Sequence, residues 1–152
     1  ENILYLYWFG DQDFPRIGTI KGFAEFPELD SVIYFWLNYW KEAGMPFPKD
    51  LDPLLIKTMI AVESSFKVKA DPRAKHSSAY GLMQITDRTR ADAKNLRDNV
   101  VDLERKDLED PVVSIAMGIR WISYKYTTIP KKSEKNLLNW TGPDFVDSVL
   151  CG

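Results

Sequence analysis

The stretch DPLLIKTMIAVESSF, residues 52–66, decides how the fold of this chain is interpreted. Asp52 followed by Pro53 is typical of a helix start, because aspartate caps free amide groups and proline fits the first turn. At about 100° per residue, the following residues place apolar side chains around most of the helix. Their central stripe consists of Leu55, Met59, Val62 and Phe66. Lys57 and Ser64 mark a narrow polar edge, so the pattern predicts a helix from Pro53 to about Phe66, packed on most sides.

Glu63 is the exception within this apolar helix, since it falls between Met59 and Ile60 on the helical wheel. The nearest basic residue in register is Lys67, where the helix is expected to end. Burial disfavours an ionised carboxylate, so the pKa of Glu63 should rise. A glutamic acid that stays protonated near neutral pH can serve as a general acid. The residues alone leave a structural alternative open, in which Glu63 rims the core or pairs with a distant arginine.

The rest of the chain predicts a mainly helical single domain with at most a short β element. Further helices are expected over residues 31–43, capped by Ser31 and ended by Gly44; over 88–96, capped by Asp87; and over 111–126, opened by Asp110-Pro111. The only strand expected is a short one near Leu82–Thr86.

Composition excludes several classes of protein. The 152 residues carry 20 Lys plus Arg against 22 Asp plus Glu, a formal net charge of −2, which argues against a nucleic-acid binder. The single cysteine, Cys151, and the single histidine, His76, exclude an intrachain disulfide and a cysteine or multi-histidine metal site. The uninterrupted apolar runs, Val32–Leu37 among them, are all far shorter than a membrane span. We therefore expect no metal, no cofactor and no membrane-spanning segment.

Three blocks of sequence occur in an informative order. Glu63-Ser64 is followed by AYGLMQI at residues 79–85, and then by a helix carrying Gly118. In order and spacing, these blocks resemble the lytic transglycosylase family (SLT domain), which is related to goose-type lysozymes. The resemblance covers roughly residues 50–126 and implies a lysozyme-like α+β fold that is mainly helical.

The resemblance also implies a reaction. Family members cleave the β-1,4 bond between N-acetylmuramic acid and N-acetylglucosamine in bacterial peptidoglycan, with a 1,6-anhydro product. Glu63 would be the general acid and then the general base. Ser64 would orient Glu63 or contact a sugar, Gln84 would hydrogen-bond the substrate, and Tyr80 and Trp140 would form sugar-stacking walls. The implied location is the cell envelope, periplasmic or secreted, with no export signal visible in this chain.

Three departures from the family pattern keep alternatives open. Ser114 stands where the family usually has asparagine, and Thr86-Asp87 stand where Met-Pro is common. The family's later Tyr-Asn motif is absent, and Trp140 falls at about its expected distance. Either the chain is a divergent member, or it is an excised segment that ends before part of the site. The alternatives in function are a hydrolytic goose-type lysozyme (a muramidase) and a non-catalytic glycan-binding or assembly module.

Aromatic residues are concentrated at the start of the chain, where residues 1–40 hold 12 of the 20. We therefore predict an aromatic-rich N-terminal helical extension over residues 1–48 and a lysozyme-like transglycosylase domain over residues 49–152. Tyr34-Phe35-Trp36 and Tyr39-Trp40 are expected on a buried helix packed against the catalytic part. The alternative is an exposed aromatic patch that docks a protein partner.

Overall fold

A computed structural model describes residues 20, 24–69, 78–94 and 103–128. These ranges hold four α-helices, one 3₁₀ helix and a two-stranded antiparallel sheet. In chain order they are α1 (Glu28–Glu42), α2 (Pro53–Ser64), β1 (Ala79–Tyr80), β2 (Ile85–Thr86), α3 (Asp87–Lys94), the 3₁₀ helix (Arg105–Glu109) and α4 (Pro111–Thr128). The sheet pairs Ala79 with Thr86 and Tyr80 with Ile85. The prediction of a mainly helical, lysozyme-like fold with one short β element is confirmed. No described helix is both long enough and apolar enough to cross a bilayer.

The first helix begins earlier than the sequence suggested. Helix α1 starts at Glu28, directly after Pro27, and Ser31 is buried inside it rather than capping it. Two acidic residues in the first turn, Glu28 and Asp30, favour this start because they face the positive end of the helix dipole. Gly44 ends the helix as expected, with a left-handed φ of 82°.

The start of α2 agrees with the prediction, and its end does not. The Asp52 carboxylate accepts a hydrogen bond from the Leu54 amide at 2.8 Å, and Pro53 is the first helical residue. The helix stops at Ser64, two residues short of Phe66, because Ser65 and Phe66 both adopt left-handed backbone conformations.

Of the last two helices, α4 has the predicted cap and α3 does not. Helix α3 is capped by Thr86, whose hydroxyl accepts from the Thr89 amide at 3.0 Å, and the expected cap Asp87 is instead the first helical residue. Asp110 caps α4 as predicted, accepting from the Val112 amide at 2.7 Å.

Helix α1, which carries the predicted aromatic cluster, packs on α4, and residues of both helices belong to the same hydrophobic core. Trp36 and Trp40 are buried, and the Trp40 indole donates to the Ala116 carbonyl at 2.9 Å. Fixing an indole to a backbone carbonyl of α4 sets how far α1 can slide along it. The boundary after residue 48 and the partner-docking alternative stay predictions, and residues 1–19 lie outside the described part of the chain.

Lys57 overturns the predicted orientation of α2. The wheel placed Lys57 on the polar edge and Val62 in the apolar stripe, whereas Lys57 is 0% exposed and Val62 is 68% exposed. The Lys57 ammonium lies 2.5 Å from a carboxylate oxygen of Asp30, and the second oxygen accepts from the Ile20 amide at 2.8 Å. A wheel ranks side chains by polarity and cannot register a partner on another helix. The buried face of α2 is consequently turned by roughly 100° toward Ile56 and Ile60.

We expect the substitution Lys57→Met to lower the free energy of unfolding by about 3–5 kcal/mol, because it removes the cation from a fully buried carboxylate. Urea denaturation followed by circular dichroism measures the change. Lys49→Met removes an exposed lysine just before α2 and should change stability by less than about 0.5 kcal/mol. Equal losses of unfolding free energy in the two variants would show that the contact between Lys57 and Asp30 does not stabilise the fold.

Candidate active site

Glu63 lies on the continuation of the buried face of α2, one residue before the helix ends. Met59 and Ile60, which flank it on the helix, are buried, whereas Glu63 is only partly buried. Burial raises the pKa of Glu63, and no charged group among the described residues contributes to the shift. The core therefore ends at Glu63, which leaves a carboxyl group between apolar side chains and solvent.

A tight turn follows this carboxyl group. The Ser65 amide donates to the Ala61 carbonyl at 3.0 Å, and the Lys67 amide donates to the Ser64 carbonyl at 3.0 Å. The two central residues, Ser65 and Phe66, have φ values of 49° and 60°. Such turns usually contain glycine, asparagine or aspartate, because other residues are strained there. The strained turn ends α2 immediately after Glu63-Ser64, and the Ser64 hydroxyl donates back to the Ile60 carbonyl at 3.0 Å.

The turn that joins β1 to β2 carries Gly81, which no other residue could replace without rearrangement. Its φ is 73°, and a Cβ there would overlap the Leu108 carbonyl and lie 2.5 Å from the Ser114 hydroxyl oxygen. The same hydroxyl accepts the Met83 amide at 3.1 Å. Ser114 is the residue that departs from the family's usual asparagine, and here it anchors the turn from inside α4.

Met83 connects this turn to α4 a second time. A Cβ on Gly118 would lie 2.6–2.8 Å from three carbon atoms of the Met83 side chain. The missing side chain at Gly118 thus admits the hairpin turn, which approaches α4 at this position. Gly118 and Met83 thus hold the hairpin against α4 at close range.

Gln84 ends the hairpin turn in a left-handed conformation, with a φ of 47°. Its side-chain amide donates to the Gly81 carbonyl at 2.9 Å, and its backbone amide approaches the same oxygen at 3.2 Å. The Gln84 side chain therefore stabilises the turn in which it lies. Its amide oxygen accepts no hydrogen bond from the described residues.

Tyr80 has one ring face covered by a cation. The Arg105 guanidinium lies 5.2 Å from the ring centroid and forms a paired contact with Asp87, at 2.9 and 2.5 Å. Hydrogen bonding to Arg105 holds the pKa of Asp87 below its usual range. Sequence reasoning missed Arg105, which lies 18 residues from Asp87 and carries no local signal. Arg105 is the only cation over the Tyr80 ring among the described residues.

The predicted site residues fall into two groups. Glu63 and Ser64 end α2, whereas Tyr80 and Gln84 belong to the hairpin. No hydrogen bond or ion pair within the described residues joins the groups, and both are attached to one hydrophobic core. Trp140 lies outside the described residues, as do His76 and Cys151. Within the described ranges, no group of histidine, cysteine, aspartate or glutamate could hold a metal ion.

Comparison with known proteins adds one finding. The model of the family described as transglycosylase SLT domain matches residues 39–140, which is more than half of the chain. The match includes Glu63, the hairpin and α4, and Trp140 is its last residue. Curated proteins give no match, and neither do solved structures.

We expect Gly81→Ala to destabilise the protein more than Gly44→Ala, and the two glycines form a matched pair. Both have left-handed φ values, and an added Cβ at Gly44 meets nothing within 4 Å. Gly44→Ala should therefore cost only the backbone strain, about 1–2 kcal/mol. Gly81→Ala adds the overlap with Leu108 and should cost about 1–3 kcal/mol more. Chemical denaturation measures both values, and equal losses would contradict the close packing of the hairpin.

We expect Glu63→Gln to raise the melting temperature at pH 7. A glutamate whose pKa is raised by folding contributes stability that is complete below its unfolded pKa, about 4.3, and is lost as the pH rises through the folded value. The neutral amide avoids this loss, so the gain should shrink toward zero as the pH falls to 4. Glu42→Gln, at the exposed end of α1, is the control for the loss of one negative charge at the surface. Thermal melts from pH 4 to 8 test this, and a pH-independent difference would contradict the burial of Glu63.

Proposed function

This chain belongs to the transglycosylase SLT domain family, and on that premise we propose that it is a peptidoglycan lytic transglycosylase with Glu63 as its catalytic acid and base. The family supports cleavage of peptidoglycan glycan in general terms. The observation that carries the specific proposal is the position of Glu63, a carboxyl group with a raised pKa where a buried helix face meets solvent. A protonated carboxyl group there can donate to a glycosidic oxygen.

The proposed reaction needs one carboxyl group. Protonated Glu63 donates to the oxygen that links N-acetylmuramic acid to N-acetylglucosamine, and the bond from that oxygen to C1 breaks with its electron pair moving to oxygen. The Glu63 carboxylate then removes the proton from the muramic C6 hydroxyl. Oxygen O6 bonds to C1, which closes the 1,6-anhydro ring and returns the proton to Glu63. No water is consumed, because the nucleophile belongs to the substrate. Most glycosidases use water and need a second carboxylate.

Four other described carboxylates support this assignment, because each has a structural partner. Asp30 contacts Lys57, Asp87 contacts Arg105, and Asp52 and Asp110 cap helices. Among the described carboxyl groups of the matched region, Glu63 is the one whose pKa is raised. This difference separates a group held for chemistry from groups held for structure.

The hairpin would bind the substrate. We assign the Gln84 amide oxygen to a donor on the sugar or its acetamido group, and the face of Tyr80 opposite Arg105 to a sugar ring. The Ser64 hydroxyl keeps acceptor capacity for a substrate hydroxyl while it donates to Ile60. Trp140 is assigned to a further stacking wall. The substrate places the protein in the cell envelope, either periplasmic or secreted.

We expect the wild-type protein to release muropeptides with 1,6-anhydro ends from purified peptidoglycan, detected by mass spectrometry. Glu63→Gln should slow release by about 10²- to 10⁴-fold or more, because it removes the proton donor. Glu42→Gln replaces an exposed glutamate at the end of α1 and should leave the rate unchanged.

Two other results are informative. Reducing ends that depend on Glu63 would show a muramidase, in which water replaces the C6 hydroxyl. Binding to peptidoglycan with no release by the folded wild-type protein would show a non-catalytic glycan-binding module. Either result would overturn the transglycosylase assignment.

A further inference from the structure

Two phenylalanines stack beside the end of α2, and the proposed reaction does not use them. The rings of Phe26 and Phe66 lie 4.2 Å apart between centroids at an interplanar angle of 22°. Phe66 packs against the core, whereas Phe26 is 40% exposed. Phe66 lies within the region matched by the family model, and Phe26 precedes it. The pair therefore joins the family's core to a part of this chain outside the match.

Both rings are presented by strained backbone. Phe26 has a φ of 51° and Phe66 a φ of 60°, and the left-handed region is unfavourable for an aromatic residue. Strain of this kind persists only where surrounding structure imposes it, and it concentrates at functional sites. Burial does not explain the strain at Phe26, because this residue is among the exposed large hydrophobic residues of the described part of the chain.

Each of the two rings is attached to a helix end. The Phe26 carbonyl accepts from the Leu29 amide at 3.1 Å, which ties Phe26 to the first turn of α1. Phe66 belongs to the tight turn that ends α2. The buried contact between Asp30 and Lys57 then fixes α1 against α2. The exposed ring is thus held in place before any ligand arrives, which limits the entropy lost on binding.

The pair also adjoins the proposed catalytic carboxyl group. Phe66 follows Glu63 by three residues, and the hydrogen bond from Lys67 to Ser64 keeps the chain folded back within a turn of about 7 Å. Phe66 packs toward the core, and Glu63 continues the core-facing side of α2. Glu63 and Phe66 therefore lie at the same end of α2.

We propose that the Phe26–Phe66 pair is a stacking platform for a pyranose ring of the glycan, next to the unit that Glu63 cleaves. This inference rests on the proposed function, because it takes its ligand from the reaction at Glu63. Sugar rings carry C–H bonds on their faces, and the face of an aromatic ring is electron-rich, so the two stack. The flat, exposed face of Phe26 offers that contact, and its backbone carbonyl is already engaged within the protein.

The test measures binding of chitohexaose, an N-acetylglucosamine oligomer, by isothermal titration calorimetry in the Glu63→Gln background, where cleavage does not interfere. Phe26→Ala should weaken binding about two- to tenfold, the range of a lost aromatic contact. Phe26→Leu keeps apolar bulk against Phe66 but has no flat ring, so it should weaken binding to a similar extent. Phe26→Trp keeps the ring face and should bind at least as tightly as the parent.

A kinetic readout with Glu63 intact separates the platform from a structural role. On soluble peptidoglycan fragments, Phe26→Ala should raise KM and leave kcat unchanged. Unchanged chitohexaose binding in Phe26→Ala would overturn the proposal. Parental binding by Phe26→Leu would also overturn it, since packing on Phe66 would then suffice. A fall in kcat at constant KM would indicate instead that Phe26 positions Glu63.

The failure of the proposed function gives a different pattern. If the wild-type protein releases no product from peptidoglycan but chitohexaose binding depends on the ring at position 26, the platform stands and the transglycosylase assignment fails. If Glu63-dependent release occurs and chitohexaose binding does not depend on Phe26, the transglycosylase assignment stands and the proposed stacking platform fails.

Discussion

The buried contact between Lys57 and Asp30 determines how helix α2 faces the rest of the protein. A lysine with no exposed surface has one acceptable orientation, which points its ammonium group at a carboxylate on α1. That orientation turns Val62 toward solvent and directs the side of α2 that ends in Glu63 toward the core. A buried ion pair adds little net stability compared with apolar residues of the same shape, but the wrong rotation would leave both charges buried alone. The pair therefore selects one rotation of α2 among several that the apolar residues would allow.

Helix α4 supplies the second constraint, since the hairpin that carries Gln84 is held by contacts with little tolerance. Gly81 leaves no space for a Cβ beside Leu108, Gly118 leaves none beside Met83, and the Ser114 hydroxyl accepts the Met83 amide. Backbone packed this closely cannot shift by a fraction of an ångström without a clash. The left-handed Gln84 follows from the turn that these contacts impose.

The two halves of the candidate site show the same relation between function and stability. Glu63 keeps a carboxyl group where burial opposes its charge, and the turns around Ser65, Phe66 and Gln84 hold non-glycine residues in left-handed conformations. Each feature lowers the stability of the folded state. The aromatic packing of α1 on α4, with Trp36 and Trp40 buried, offsets such local losses by covering a large apolar area. The concentration of aromatic residues early in the chain thereby contributes to a site formed by later residues.

The sequence alone determined the features that depend on neighbouring residues. Asp52-Pro53 and Asp110-Pro111 marked helix starts because capping acts over two or three residues, and the apolar neighbours of Glu63 indicated a raised pKa. The orientation of α2 and the contact of Arg105 with Tyr80 and Asp87 were decided by tertiary structure alone. In both cases the partner lies on another element, 27 residues away for Lys57 and Asp30. A helical wheel or a capping rule considers one segment at a time, so interactions between segments appear only when the chain is folded.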